Sequence, residues 1–215
     1  MVTEQKPFDE IIQMLDGYGT IYVIGCGSCA TMLHTGGKTE VDELNGKLEA
    51  AGKKIAGWMV IPTACDELSV DALAQNEATI READCVLVMS CAFGVQTIAM
   101  HSTKRVFPAL NTLFMGKEEP FGTITELCMQ CGGCILDRTA GICPVVNCAK
   151  SLLNGPCGGS VNGKCEVSSE IPCAWQLIID RLSALNQLDE LEKIQPIKDW
   201  STSSSGLPRR IDLRA

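Results

Sequence analysis

Cys128-x-x-Cys131-x-x-Cys134 sets three thiols on one short turn that also contains Gly132 and Gly133. Thiolates at that spacing wrap a single metal centre and take the fourth ligand from elsewhere in the chain. Cys143 follows, directly before Pro144, and then Cys148, Cys157, Cys165 and Cys173. The bacterial ferredoxin run also ends in Cys-Pro, and its fourth cysteine serves the other cluster. Here the gap between Cys134 and Cys143 is longer than in that run, so the match is partial. Eight cysteines suffice for two four-cysteine centres. Spacing leaves open which later cysteine joins Cys128, Cys131 and Cys134. It also leaves open iron–sulfur or zinc; we expect iron–sulfur in at least one centre and allow zinc in the other.

Four more cysteines lie where an α/β sheet gathers its ligands. Cys26 and Cys29 follow the β-rich run Thr20–Ile24, Cys65 follows the run Lys54–Ile61, and Cys91 follows the apolar run Cys85–Ser90. Ligands of parallel α/β sheets bind beyond the carboxyl ends of the strands. Cys26, Cys29, Cys65 and Cys91 are therefore expected to share that edge and to ligate one 4Fe–4S cluster, with Cys26 and Cys29 at a helix N-terminus. Gly25-x-Gly27-x-x-Ala30 also reads as a weak dinucleotide fingerprint. A thioredoxin-like Cys-x-x-Cys is a third reading, which leaves Cys65 and Cys91 unused. Cys85 falls inside an apolar run and is expected to be an inert core residue. His34 and His101 are read as ordinary surface or core residues, and Asp66 and Glu67 as a solvated loop or helix cap.

The elements that position these thiols are read from periodicity. Residues 1–116 alternate helical and strand patterns: a helix from Pro7 to Gly17, then helices over 41–51, 70–83 and 94–101 between strands over 20–24, 54–61, 85–90 and 105–109. That alternation predicts an α/β domain with a small flavodoxin-like or Rossmann-like parallel sheet. Residues 117–194 form a loop-rich, cysteine-dense metal-binding domain that loses the long apolar runs and closes on an amphipathic helix over 173–191. Metal binding must supply much of its folding energy. Residues 195–215 read as an extended tail with apolar anchors at Trp200, Leu207, Ile211 and Leu213 beside Arg209 and Arg210, suited to docking on a partner.

Bulk properties exclude other classes. A net charge of −8 argues against nucleic-acid binding. No apolar run reaches bilayer-spanning length, and the first residues carry no basic stretch leading into an apolar one. A cytoplasmic location is expected. Thirteen cysteines, an odd count, beside two histidines in a reducing compartment fit metal ligation better than disulfides.

The stretch around Cys143-Pro-Val-Val-Asn-Cys148, Lys150-Ser-Leu-Leu-Asn-Gly-Pro-Cys157-Gly-Gly-Ser160, Asn162-Gly-Lys-Cys165-Glu166 and Cys173-Ala-Trp-Gln-Leu-Ile-Ile-Asp-Arg-Leu182 resembles the cysteine-rich domain associated with methylenetetrahydrofolate reductases. That domain is metal-containing and is sometimes described as zinc-containing. With an α/β domain in front, the chain is similar to the small subunit of the two-subunit reductases of acetogenic bacteria. The resemblance implies a flavin-containing catalytic partner that reduces methylenetetrahydrofolate. It also implies a role for this chain in passing electrons from a ferredoxin or other carrier. No folate or flavin site, P-loop or Ser–His–Asp set is legible in the sequence. A structural zinc module and a nucleotide-dependent oxidoreductase built on Gly25–Ala30 are the competing functions.

Overall fold

The computed structural model describes residues 1–119 and 122–203. The chain divides into two compact units, Met1–Phe114 and Met115–Ala215.

The first unit opens with a short strand, β1 (Thr3–Gln5), and helix α1 (Phe8–Met14). There follow β2 (Thr20–Cys26), α2 (Cys29–Met32), α3 (Lys38–Ala50), β3 (Lys54–Ile61), α4 (Leu68–Gln75), α5 (Glu77–Glu82), β4 (Cys85–Met89), α6 (Ala92–His101), β5 (Arg105–Pro108) and β6 (Leu110–Thr112). Four of the strands make one parallel sheet in the order β3-β2-β4-β5. Numbered among themselves, these strands run second, first, third, fourth, the order in which flavodoxin-like sheets begin. The α/β architecture expected from the alternation is therefore present. The two central strands are apolar along their length: Ile21–Cys26 and all of Cys85–Met89 are buried. Continuous apolar runs of this kind mark parallel strands covered on both faces.

The amino edge of the sheet is fastened by one carboxylate. Asp84, directly before β4, accepts hydrogen bonds from the backbone N–H of Gly19 (2.9 Å) and Thr20 (2.7 Å) at the start of β2. These bonds hold the carboxyl group below its usual range. Lys53 donates to the carbonyls of Leu15 and Tyr18, both at 2.8 Å, and so pins the turn after α1 to the start of β3. The opposite edge is left for the cysteines.

Some elements differ from the sequence pattern. The helix expected over 70–83 is two helices, broken at Asn76. Its amide donates to the Ala72 carbonyl (2.9 Å) and its side-chain oxygen accepts from the Tyr22 hydroxyl (3.1 Å). Such side-chain bonds compete with the helical ladder. β1 and β6 pair antiparallel; runs of three residues are too short for alternation to register.

The second unit holds an antiparallel ribbon of β7 (Gly116–Glu119) and β8 (Thr123–Glu126), a one-turn helix α7 (Pro144–Asn147) and the helix α8 (Ala174–Ala184). The expected helix to residue 191 stops early because Asn186 turns left-handed (φ 55°), and a 3₁₀ turn follows at Leu188–Glu192. The core here is small: Cys173, Trp175, Ile178 and Leu182, with Ala140, Ile142, Cys148 and Leu152 against them. Trp175 also donates its indole N–H to the Leu152 carbonyl at 3.0 Å. Of the tail, Leu207, Arg209, Arg210, Ile211 and Leu213 lie outside the described residues. Among the described residues no helix is long and apolar enough to cross a membrane.

Leu87, fully buried at the centre of β4, tests the sheet core. Leu87→Ala should lower stability by about 2–5 kcal/mol in urea unfolding, the usual range for a buried leucine truncated to alanine.

Candidate metal centres

All thirteen cysteines are free thiols. The sheet explains where the first four go. Cys26 ends β2, with its backbone N–H bonded to the Gly36 carbonyl at 2.9 Å. Cys29 opens α2, a helix of only four residues. Cys65 lies in the turn after β3, and Cys91 is the N-cap of α6 after β4. The strand order reverses between β2 and β4, and such a switch point is where doubly wound sheets open a crevice. Cys26, Cys29 and Cys91 therefore flank the crevice, and Cys65 joins from the neighbouring strand.

Cys65 lies within electrostatic reach of the other three thiols. Partial burial of its sulfur raises the Cys65 thiol above its ordinary value. The neighbouring thiols of Cys91, Cys26 and Cys29 raise it further, against a backbone hydrogen bond that lowers it. Negative charge on one sulfur is disfavoured by negative charge on the others; a cation among them inverts that balance. Cys85 is the contrast. It is fully buried in β4, and burial, followed by the charge of Asp84, pushes its thiol up to about 11. It faces none of this group's chemistry.

The glycines of the apparent dinucleotide fingerprint are used for packing. A Cβ on Gly25 would stand 2.7 Å from the Gly36 carbonyl oxygen and from the Val41 side chain, and one on Gly27 would meet Pro62 at 3.2 Å. α2, at four residues, is also shorter than the helix that follows a dinucleotide fingerprint.

In the second unit the eight cysteines sort into two sets. Cys128, Cys131, Cys134 and Cys143 line one cavity of about 550 Å³ whose other walls are largely apolar, among them Leu127, Leu136 and Val145. Cys148, Cys157, Cys165 and Cys173 line a second, of about 20 Å³. The cavity thus groups Cys143 with Cys128, Cys131 and Cys134. The Cys128–Cys134 loop is shaped by left-handed residues at Gln130, Gly132 and Gly133. It lets the Gln130 N–H donate to the Cys128 sulfur at 3.4 Å. The Gly159 N–H donates likewise to the Cys157 sulfur at 3.5 Å. Amide donors to sulfur are what a thiolate ligand needs beyond its metal.

A tight hairpin organises the second set. Asn162 and Gly163 both have positive φ (50° and 75°), and Val161 pairs with Lys164 across them, as Asn-Gly turns do. The Cys165 N–H then bonds the Ile171 carbonyl (3.1 Å) and the Cys173 N–H bonds the Gly163 carbonyl (2.8 Å). Lys150 and Glu166 pair in the wall of the same cavity.

Among the described residues no group of three or more His, Cys, Asp or Glu side chains is already set to hold a metal ion. The thiols are gathered into three sets without closing on a point. The remaining polar groups play other parts. Asp66 accepts from the Leu68 N–H at 3.1 Å in the turn that leads into α4. His34 stands exposed, 3.8 Å from Glu40.

Residues 107–201, a little under half of the chain, match the family described as methylene-tetrahydrofolate reductase C terminal. The cysteine-rich part of the chain is therefore similar to a C-terminal domain of methylenetetrahydrofolate reductases. No curated protein and no solved structure matches the chain.

Cys85 gives a direct check on this sorting of the thiols. Alkylation of chelator-treated protein at about pH 8, with mass mapping of the first unit, should modify the exposed Cys65 and spare the buried Cys85. Cys85→Ala should leave metal content unchanged and cost about 1 kcal/mol or somewhat more for the small cavity.

Proposed function

We propose that the chain is the iron–sulfur subunit of a two-subunit methylenetetrahydrofolate reductase, passing electrons to a flavin-containing catalytic partner. The observation that carries this reading is that Cys26, Cys29, Cys65 and Cys91 all follow parallel strands at the carboxyl edge of one sheet, beside its switch point. The family match of residues 107–201 supports the choice of partner.

In this reading Cys26, Cys29, Cys65 and Cys91 hold one 4Fe–4S cluster, and Cys128, Cys131, Cys134 and Cys143 hold another. Such clusters supply one-electron chemistry when bound. The first set suits the task because Cys65 is exposed while Cys26 and Cys91 are buried, so one side of the group meets solvent or a partner. The Cys128, Cys131, Cys134 and Cys143 set has room for a cluster and one amide donor, from Gln130 to the Cys128 sulfur. The Cys148, Cys157, Cys165 and Cys173 set suits one zinc ion. Its cavity of about 20 Å³ has room for about one water-sized body, and four thiolates meet zinc's tetrahedral preference. Its role is structural, since it joins the small core around Trp175.

A ferredoxin or another low-potential carrier is the donor class this reading requires. The test uses the full chain purified with a flavin-containing reductase subunit. Reduced ferredoxin should reduce the flavin in the wild-type complex. Cys26→Ser should keep the complex and slow that reduction by at least about tenfold. If it leaves the rate unchanged, the N-terminal set carries no electrons. Cys165→Ser should instead make the second unit sensitive to protease while flavin reduction in any intact complex persists.

A further inference from the structure

The residues after the 3₁₀ turn do something the sequence does not announce. Residues 195–202 run across the wall of the Cys128, Cys131, Cys134 and Cys143 cavity and are fastened at three points. At the near end the Gln195 N–H donates to the Asn154 side-chain oxygen (2.6 Å), and the Asn154 amide returns a bond to the Gln195 carbonyl (3.1 Å). In the middle the Lys198 ammonium donates to the carbonyls of Gly132 and, at 3.1 Å, Gly133. At the far end the Thr202 hydroxyl donates to the Cys131 carbonyl at 3.2 Å. The three carbonyls engaged are consecutive and lie between two of the cysteines.

The loop is built for this contact. Gly132 and Gly133 both have positive φ (64° and 55°). A Cβ on Gly132 would stand 2.5 Å from the Thr202 hydroxyl oxygen and 2.9 Å from the Thr202 carbonyl. Only glycine lets residues 195–202 lie so close. The ammonium also lies over the Trp200 ring, 5.4 Å from its centroid. The neighbouring Asp199 carboxylate, also in the cavity wall and within electrostatic reach of Lys198, accepts from the Ser201 N–H at 2.9 Å.

We propose that residues 195–202 form a strap over the Cys131-Gly-Gly-Cys134 loop, and that Lys198 is its positioning residue. It fixes the loop carbonyls and sets a positive charge beside the centre those cysteines hold. This rests on the reading of that set as an iron–sulfur site. Two consequences follow from the chemistry. A fixed loop keeps its thiolates from leaving the metal one at a time. A nearby positive charge favours the reduced, more negative state of a cluster. Asn154 lies between Cys148 and Cys157, so the strap also ties the loop of one cysteine set to the loop of the other.

The test is an EPR-monitored redox titration of the full chain, with the signal lost in Cys131→Ser taken as that of this site. Lys198→Met should retain the signal, move its midpoint to more negative potential and release iron to a chelator several-fold faster. Lys198→Arg keeps charge and donors and should return both readouts toward wild type. Thr202→Val removes one tether without charge; it should speed release and leave the midpoint unchanged, and it decides the strap's role if Lys198→Met fails to fold. A loaded Lys198→Met chain with unchanged midpoint and unchanged release overturns the proposal and leaves the metal site standing. Unchanged release in Thr202→Val overturns the tether in the same way. A wild-type chain that loses neither metal nor signal on Cys131→Ser overturns the site itself, and the charge role with it.

Discussion

The second unit has too little apolar surface to hold itself together, and the rest of its design follows from that. Its buried core amounts to one face of α8, with Trp175, Ile178 and Leu182, against a few loop residues. A chain segment of this size with so little burial does not repay the entropy of ordering its loops. Thiolate–metal bonds can, because a ligand set absent from the unfolded chain makes binding energy into folding energy. The positive-φ residues at Gln130, Gly132, Gly133, Gly158, Asn162 and Gly163 belong to the same solution. They let the backbone turn tightly enough to bring cysteines from separate loops around two cavities.

The first unit meets the opposite condition. Its core runs through both central strands, and Asp84 ties their amino ends. The sheet can therefore hold four cysteines at its carboxyl edge without depending on them to fold. A centre that must change its charge in each cycle is best placed on such a scaffold, where ligands come from rigid strand ends. In the proposed reading the first unit uses cysteine to place a site, and the second uses it both for a site and for cohesion of the fold.

Much of this was legible in the sequence. The alternation of strand and helix predicts the parallel sheet, and the position of each cysteine just after a strand predicts its edge. Cys85 stood out as the exception because it lies within the apolar run. The break at Asn76 was not legible, since it depends on a hydroxyl from Tyr22, a residue 54 positions away. Spacing could not place Cys143 beside the Cys128–Cys134 loop, because chain reversal in a segment without regular structure is set by turns such as that at Ala140 and Gly141. The polar, Ser-rich composition of the tail gives no sign that Lys198 and Thr202 meet the Cys131 loop. The clue lay in Gly132-Gly133, where two adjacent glycines imply a close approach by something else.

The claim at the centre of this account is that three cysteine sets hold two iron–sulfur clusters and one zinc ion. The most direct measurement is metal and acid-labile sulfide content of the anaerobically purified full chain, with Mössbauer spectra to give cluster type. The account predicts about eight iron, about eight sulfide and about one zinc per chain. Zinc alone, with neither iron nor labile sulfide, would contradict it.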